Sequence, residues 1–298
     1  MLHRACWNDY EHDWERDCKT KVKKNIKALH EAHVRFNIID DRNGKALLHY
    51  IAEYSVPEAI GLLIEYGALT ALKTRDDLMT PLHMAVLGNK VENVKFLLKY
   101  GVTGLEGVRD KWGRTALNLA ARYGRTDIVK AILEHNPRLI DDKNNQGWTA
   151  LHYAAYYKHE NMVQYLIDNH AGLNMRTQNG KTALQYAVKT NWHDGNIIRL
   201  LVRNNKDLTG ENEALEWAVM VNDKEMIKIL IERGVDVNVK NEYDELVIEK
   251  ARTPAIKKLI KNAAKVRADY LASQQIQPQP VATHKDNKVD DISRQYGS

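Results

Sequence analysis

The sequence has 298 residues, of which 44% are apolar, and carries 44 basic and 39 acidic side chains for a formal net charge of +5. It contains no run of about 18 uncharged apolar residues, and its first residues have no apolar core of signal-peptide length. We therefore expect no membrane span and a cytosolic protein. Cys6 and Cys18 would lie about 18 Å apart on one helix, too far for a disulfide, so we expect free thiols.

Residues 1–38 are predicted to form a helical cap at the N-terminus. Apolar side chains recur at helical spacing through Val22, Ile26 and Leu29, with lysines between them. The segment carries no copy of the motif that follows it. A stack of repeated units needs such an end unit, with one apolar face and one polar face.

Residues 39–251 contain a recurring motif, seen most clearly in the segment 147–155, GWTALHYAA. Successive copies are separated by 31 to 35 residues. Their central aliphatic residues are Leu48, Leu82, Leu117, Leu151, Leu184, Leu215 and Ile248. A period this regular indicates a stacked repeat array.

Each copy predicts two short helices. Within the copy at 147–155, Leu151, Ala154 and Ala155 share one helical face, and a second apolar pair, Leu166-Ile167, follows about 15 residues after Leu151. Neither stripe can be buried within its own unit. The sequence therefore predicts an all-α solenoid of about six to seven helix-turn-helix units.

Short polar segments between the helix pairs predict hairpin turns. Most begin with Asp, Asn or Thr and end at a glycine, which fits a type I turn that closes into a left-handed residue. These glycines are Gly44, Gly113, Gly147 and Gly180. Leu78 and Glu211 stand where two further glycines are expected, so we expect those two hairpins to be distorted.

The motif resembles the ankyrin repeat, whose T-P-L-H-x-A signature is matched best at Thr80–Ala85 and Thr149–Ala155. The resemblance covers roughly residues 40–262. It implies that the hairpins project as fingers, and that His49, His83 and His152 hydrogen-bond backbone between neighbouring units. It also implies that fingers and first helices line a concave groove that binds other proteins.

The C-terminal end divides into two predicted segments. Residues 252–271 alternate lysines with apolar residues and are predicted to be a capping helix with a basic outer face. Residues 272–298 are polar and rich in Pro and Gln, without a core stripe, and are predicted to be a disordered tail. From Arg252 onward there are nine basic and four acidic residues, which account for the whole excess of +5.

No catalytic, cofactor or metal motif survives inspection of the spacing. The histidines of His30-Glu31-Ala32-His33 are three residues apart, whereas zinc binding on a helix requires four. Gly180-Lys181-Thr182 lacks the glycine that a phosphate-binding loop carries five residues earlier. We therefore expect a protein that is not an enzyme and needs no cofactor or metal. An enzyme whose active site is supplied by the tail or the caps is the remaining alternative of that class.

One modification site is suggested by the family resemblance. Asp236-Val237-Asn238, with Leu230 eight residues before the asparagine, looks like the place where asparagine hydroxylation occurs in many ankyrin repeats. The alternative is that Asn238 only caps the turn at the base of a finger.

The middle units carry basic and aromatic residues at the positions that the resemblance places in the groove. Aromatic residues and arginine dominate interface energetics, so this set predicts a surface for an acidic or phosphorylated segment of a protein partner. In the alternative, the aromatic rings pack on adjacent fingers and the cations are ordinary surface. The predicted partner-binding residues are Lys111, Trp112, Arg114, Arg122, Tyr123, Trp148, Tyr156, Tyr157, Arg176, Lys181 and Lys189.

Nucleic-acid binding is the competing function, because bases stack on aromatic side chains that are interleaved with cations. Against it, the chain before Arg252 has as many acidic as basic residues. We expect a monomeric scaffold with protein partners. Ankyrin arrays also occur in bacteria and viruses that live inside eukaryotic cells, so delivery into a host cytosol as an effector is a further hypothesis.

Overall fold

The computed structural model describes the backbone of residues 14–190, 195–208, 211–238, 240 and 244–273, and side chains between residues 20 and 270. Its helices form pairs that stack along the chain. The first thirteen residues of the predicted N-terminal cap, and residues 274–298 of the predicted disordered tail, lie outside the described residues.

In the part of the chain that the structure describes, six helix pairs follow an N-terminal helix, α1 (Trp14–Glu31). The first helix of each pair, here called an inner helix, is α2 (Leu47–Tyr54), α4 (Pro81–Leu87), α6 (Ala116–Arg122), α8 (Ala150–Tyr156), α10 (Ala183–Thr190) or α12 (Asn212–Met220). The second, or outer, helix is α3 (Pro57–Glu65), α5 (Val91–Tyr100), α7 (Thr126–His135), α9 (Glu160–Asp168), α11 (Asn196–Asn204) or α13 (Lys224–Glu232).

The seventh unit is incomplete. Its first segment is only a 3-10 helix, Val247–Lys250, and its second is α14 (Pro254–Ser273), which extends two residues past the predicted boundary at residue 271. Two further 3-10 turns, Leu105–Gly107 and Pro137–Asp141, precede the third and fourth fingers. The described residues contain no β-strand, only one isolated bridge between Lys240 and Leu246. The prediction of an all-α solenoid is confirmed.

The apolar stripes merge into one continuous core. Inner helices pack on the inner helices before and after them, and most outer helices pack on neighbouring outer helices. The small residues of the inner helices, such as Ala120, Ala121, Ala154 and Ala155, are fully buried and allow neighbouring helices to approach closely. No pair could bury both of its stripes alone, so each repeat depends on its neighbours.

In each of the first five repeats, the N-terminus of the inner helix is closed by a residue in its own first turn. In α4, the backbone N–H of Thr80 donates to Nδ1 of His83, 3.3 Å away, and in α8 the N–H of Thr149 donates to Nδ1 of His152, 3.2 Å away. These bonds satisfy backbone donors that a helix leaves without a partner at its first turn.

The opposite side of the same ring reaches the next repeat. Nε2 of His83 lies 3.2 Å from the carbonyl oxygen of Arg114, and Nε2 of His152 lies 3.3 Å from that of Lys181. Since Nδ1 accepts, Nε2 carries the proton and donates. His49 makes the equivalent bond to the carbonyl of Met79 at 3.1 Å. The predicted structural role of these histidines matches this geometry.

Two repeats use an amide in place of the histidine. Asn118 accepts from the N–H of Thr115 and donates to the carbonyl of Asp142 at 3.1 Å, so it reproduces both bonds. Gln185 accepts from the N–H of Thr182 but donates to the carboxylate of Glu213 at 2.7 Å. The link between the fifth and sixth repeats therefore uses a side chain instead of a backbone carbonyl.

Within the described residues, five hairpins between repeats form fingers, at residues 40–45, 74–79, 110–114, 144–148 and 177–181, each closed by a backbone hydrogen bond between its ends. Gly113, Gly147 and Gly180 have φ values of +72°, +80° and +71°, as the turn chemistry predicts. Each finger also bonds the next one; for example, the N–H of Asn145 donates to the carbonyl of Trp112 at 3.1 Å.

Leu78 does not distort its finger, contrary to our expectation. Its φ of +54° is the left-handed conformation that glycine adopts in the other fingers, and its side chain is 42% exposed. The N–H of Lys111 still bonds the carbonyl of Asp77 at 2.9 Å, so the row of fingers continues. The fold therefore holds a branched residue in a backbone conformation that it disfavours.

Glu211 alters the backbone of its repeat more than Leu78 alters its own. Its φ is −91°, and α12 begins at the very next residue, whereas α10 begins three residues after Gly180. Its carboxylate is buried and accepts a hydrogen bond from the Thr182 hydroxyl at 2.8 Å, and Oε2 has no hydrogen-bond partner. Burial raises the pKa of Glu211 to about 7.

The N-terminal end of the stack is closed by α1. Val22 and Ile26 are buried, and the helix packs against α3. The His30 ring stacks on the Tyr66 ring with a centroid distance of 3.8 Å. This arrangement covers the apolar face of the first repeat, as an end unit must.

Acid should destabilise the fold through its buried histidines. Burial lowers the pKa of His83 and of His152 to about 4 from the ordinary 6.5. Between about pH 4 and 6.5 the unfolded chain therefore binds more protons than the folded chain. The contribution of these histidines to the free energy of unfolding is fully present above about pH 6.5 and falls as the pH drops towards 4. Each histidine contributes on the order of 3 kcal/mol to this loss. Glu211 opposes it, because its raised pKa favours the folded chain as the pH falls from about 7 to 4.5.

The check is denaturant unfolding between pH 7.5 and 4.5. The variant His83→Asn should retain both bonds, as Asn118 does, and should show a shallower loss than the wild-type chain. An unchanged pH slope in this variant would refute the assignment to His83.

Replacing Leu78 with glycine should raise the melting temperature. The left-handed backbone costs a branched residue about 1–2 kcal/mol, and glycine removes this cost. Glycine also increases the conformational entropy of the unfolded chain, so the net gain in the free energy of unfolding is up to about 1 kcal/mol. The matched control is Leu78→Ala, which removes the same exposed side chain but retains a Cβ and should not stabilise. Equal melting temperatures for the two variants would contradict backbone strain at this position.

Candidate functional site

Fingers and inner helices of the first four repeats face a shared concavity of about 630 Å³. Outer helices contribute nothing to its lining, so it lies on one side of the stack. We call this surface, with its continuation over the fifth repeat, the concave groove. Its lining residues are Asn43, Lys45, Glu53, Thr74, Asp76, Asp77, Met79, Met84, Leu87, Trp112, Arg114, Arg122, Tyr123, Asn144, Gln146 and Tyr153.

Trp148 is the centre of an aromatic cluster in the fourth and fifth repeats. Its ring centroid lies 4.4 Å from that of Tyr186, 5.0 Å from that of Tyr153 and 5.4 Å from that of Tyr156. The Tyr157 ring adjoins the cluster, with its centroid 5.0 Å from that of Tyr156. These tilted and edge-on contacts stabilise the array itself, so part of the predicted partner surface is occupied by internal packing.

Trp112 is held in the third finger by cations. The Lys111 ammonium lies 4.3 Å and the Arg114 guanidinium 4.1 Å from the centre of its ring. Arg114 is buried, and its Nε donates to Oδ2 of the buried Asp110 at 2.7 Å. Asp110 also accepts the backbone N–H of Trp112 at 2.9 Å. Arg114 therefore maintains the shape of the finger and is not one of its outward groups, which differs from the position that the repeat register predicted.

Two more predicted cations face carboxylates from neighbouring fingers or helices. Lys111 pairs with Asp77, and Lys181 pairs with Glu213 at 2.7 Å. The members of each pair lie more than 30 residues apart in sequence. The predicted stripe contained no acid because its acids come from adjacent repeats, and these pairs lower its positive charge.

Arg122, Arg176 and Lys189 have no carboxylate at ion-pair distance among the described residues. The Arg122 guanidinium lies over the Tyr157 ring, 5.3 Å from its centre. Arg176 donates to the carbonyl of Gly180 at 2.8 Å, and both it and Lys189 are exposed. Tyr157 is exposed as well. The groove over the third to fifth repeats therefore combines aromatic rings with cations whose charge is not compensated locally.

Two members of the cluster were missed by the sequence interpretation, Tyr153 and Tyr186. Both occupy the fourth position of an inner helix, where the first repeat has Tyr50. Comparing this single register position across repeats would have found them. Burial raises the pKa of Tyr153 to about 12, so its hydroxyl stays protonated and donor-competent at neutral pH.

Asn238 lies away from the groove residues, after α13. It is exposed, and its backbone N–H donates to the Asp236 carboxylate at 3.0 Å. Its side chain makes no described hydrogen bond. Hydroxylation at Asn238 is not tested by this geometry and stays a prediction.

Within the described part of the chain, no three His, Cys, Asp or Glu side chains cluster as a metal site would require. The same residues include no helix that combines the length and the apolar character needed to cross a bilayer.

The sequence matches a family profile described as "Ankyrin repeats (3 copies)" over residues 18–107, 103–177 and 163–241. The chain belongs to the ankyrin-repeat family. The expectation from the motif is thus confirmed, and ankyrin repeats are in general protein–protein interaction modules.

Curated relatives match through part of their length only. Human neurogenic locus notch homolog protein 1 is 30% identical over 151 residues, covering 49% of this chain and 6% of that protein. The rat nuclear factor NF-kappa-B p105 subunit is 30% identical over 164 residues, which is 53% of this chain and 17% of the relative. A transient receptor potential cation channel subfamily A member 1 homolog from Caenorhabditis elegans is 25% identical over 213 residues. This match covers 60% of this chain and 17% of that protein.

Replacing Trp148 with alanine should destabilise the fold. The ring contacts three tyrosines from two repeats, so its loss should lower the free energy of unfolding by about 2–4 kcal/mol. Tyr123→Ala, at a 47% exposed groove position without a described ring contact, is the matched control and should cost less than about 1 kcal/mol. Thermal melting of both variants is the measurement, and a wild-type melting temperature for Trp148→Ala would show that the cluster does not stabilise the array.

Proposed function

We propose that this protein is a non-enzymatic binding module whose concave groove holds a segment of another protein over the third to fifth repeats. The observation that carries the proposal is that Arg122, which lies over the Tyr157 ring, and the exposed Arg176 and Lys189 have no carboxylate at ion-pair distance among the described residues. Ankyrin repeats bind proteins in general, and this part of the groove offers the residue types that anchor interfaces.

The partner segment should be acidic or phosphorylated. An uncompensated guanidinium binds carboxylate or phosphate through charge-assisted hydrogen bonds. Arg176 and Lys189 are exposed, so the anion does not need to displace an existing carboxylate. Lys111 and Lys181 should contribute less, because Asp77 and Glu213 already compensate their charges.

The aromatic part of the surface should supply contact area more than charge recognition. Tyr157 is exposed and Tyr156 half-buried, so a partner can cover the faces that the cluster leaves open. Their neighbours hold these rings in place, and a preorganised ring loses little conformational freedom when a partner binds. Trp148 would act mainly by supporting Tyr156 and Tyr186.

Reversing the charge of Arg176 and Lys189 together should abolish recognition of acidic segments. The probe is a set of peptides selected from a random phage-displayed library on the wild-type chain, together with phosphorylated versions of those that contain Ser, Thr or Tyr. We expect Kd to rise at least about tenfold in Arg176→Glu/Lys189→Glu, because attraction becomes repulsion at both positions. Fluorescence anisotropy of labelled peptides measures it.

The control is Lys228→Glu/Lys257→Glu, which makes the same change of net charge at exposed positions on α13 and α14. This variant should retain the wild-type Kd. Equal losses in both variants would show that only net charge matters. Tight binding of a single-stranded oligonucleotide, lost in the first variant and steeply dependent on salt, would replace the proposal with nucleic-acid binding.

A further inference from the structure

The groove has a recess over the second and third repeats, where the inner helices carry no tyrosine. At the fourth position of the inner helix, the first, fourth and fifth repeats have Tyr50, Tyr153 and Tyr186. The second and third repeats have Met84 and Leu119 at this position. Both are buried, and Met84 lines the concavity.

In the first, fourth and fifth repeats, the tyrosine fills the space between the inner helix and the finger. The hydroxyl of Tyr50 donates to the Asp40 carboxylate, that of Tyr153 lies 2.8 Å from Nδ2 of Asn144, and that of Tyr186 lies 3.4 Å from Oγ1 of Thr177. Each partner is the first residue of its finger. Methionine and leucine cannot make such a bond, and residues of the second and third fingers line the concavity here together with the inner-helix methionine.

A second register position keeps the recess open. At the eighth position counted from the start of the inner helix, the first, third and fourth repeats have Tyr54, Tyr123 and Tyr157, and the second repeat has Gly88. A Cβ at Gly88 would lie 2.0 Å from the carbonyl oxygen of Glu53, so a side chain is not tolerated here. The preceding residue, Leu87, is half-buried and forms the apolar floor together with Met84.

The walls of the recess are made by larger groups. Trp112, Arg122 and Tyr153 bound it on the side of the third and fourth repeats, and Lys45 and Glu53 bound it on the side of the first. Lys45 and Glu53 pair with each other at 2.9 Å. The recess is therefore closed on two sides and open towards the groove.

Its rim presents one acid and one base without ion-pair partners among the described residues. Asp76 is exposed at the second finger, and Arg122 projects from the end of α6. Charges on the remaining lining residues are compensated within the array, as in the pair between Arg114 and Asp110. An occupant would meet an apolar floor between an acidic edge and a basic edge.

We propose that this recess receives one large apolar side chain of the bound peptide, a leucine, methionine or aromatic residue, with a basic residue of the same peptide facing Asp76. A buried apolar anchor in a pocket is the kind of contact that dominates interface energetics. The flanking base is set by charge complementarity with the acidic edge. This inference rests on the proposed function, because it requires a peptide in the concave groove.

The test uses the peptides selected on the wild-type chain. Sequences that bind should share a large apolar residue next to Lys or Arg. Filling the recess with Leu87→Trp should raise their Kd about tenfold to a hundredfold, the range expected for the loss of one buried apolar side chain. Met220→Trp makes the same kind of change at the equivalent position of α12, outside the recess, and should leave Kd within about twofold.

A second measurement avoids any change to the protein. Replacing the shared apolar residue of the peptide with alanine should weaken binding to the wild-type chain by at least about tenfold, whether or not Leu87→Trp folds. Replacing its neighbouring base should weaken binding to wild type but not to Asp76→Asn.

The outcomes separate the two proposals. Peptides that lose affinity for Arg176→Glu/Lys189→Glu, yet bind Leu87→Trp as tightly as wild type and tolerate alanine at the apolar position, would overturn the recess alone. Selection that yields no peptide sensitive to any groove variant would overturn both. Selected peptides that bind by pairing two copies of the protein, detected as a doubled mass in light scattering, would also overturn the anchor.

Discussion

The array depends on a side chain that bonds two backbones at once. The third residue of an inner helix accepts a hydrogen bond from its own helix cap and donates one to the next finger, as His83 does between Thr80 and Arg114. It fixes the spacing of adjacent repeats while their apolar faces are buried against each other. The neutral imidazole suits this role, because one nitrogen must accept while the other donates. Asn118 performs it equally well, so the constraint concerns the pattern of donors and acceptors and not histidine itself.

Because core packing and backbone hydrogen bonds hold the repeats together, the residues that face the groove can differ in chemistry from repeat to repeat. Core alanines and leucines face neighbouring helices, and fingers bond each other through backbone groups, so the stack depends on few of the residues that face the groove. Repeats differ most at these positions. The fourth and fifth carry an aromatic cluster, whereas the second and third carry small or buried groups that leave a recess. Two surfaces of different chemistry therefore lie side by side along one groove, and a bound segment would meet both.

Charge in the groove is set by pairs of residues far apart in sequence. Lys111 meets Asp77 from the previous finger, and Lys181 meets Glu213 from the following helix. A count of basic residues along one repeat overstates the positive field, because compensation comes from the neighbouring repeat. The cations that remain without a carboxylate at ion-pair distance among the described residues are fewer. Selectivity for an anionic partner would rest on this small group.

The sequence alone determined the architecture. A period of 31 to 35 residues, with two amphipathic stripes per unit, permits little other than a stack of helix pairs, since each unit lacks a core of its own. It also predicted the turn glycines from local backbone chemistry, and the family resemblance implied that the motif histidines hydrogen-bond backbone between neighbouring units. The tertiary structure decided which groove residues face outward. It showed that Arg114 is buried against Asp110, that Tyr153 and Tyr186 join Trp148, and that Leu78 accepts a glycine conformation. Such outcomes depend on contacts between repeats. The sequence of one repeat does not show which side chains of the adjacent repeat it will contact.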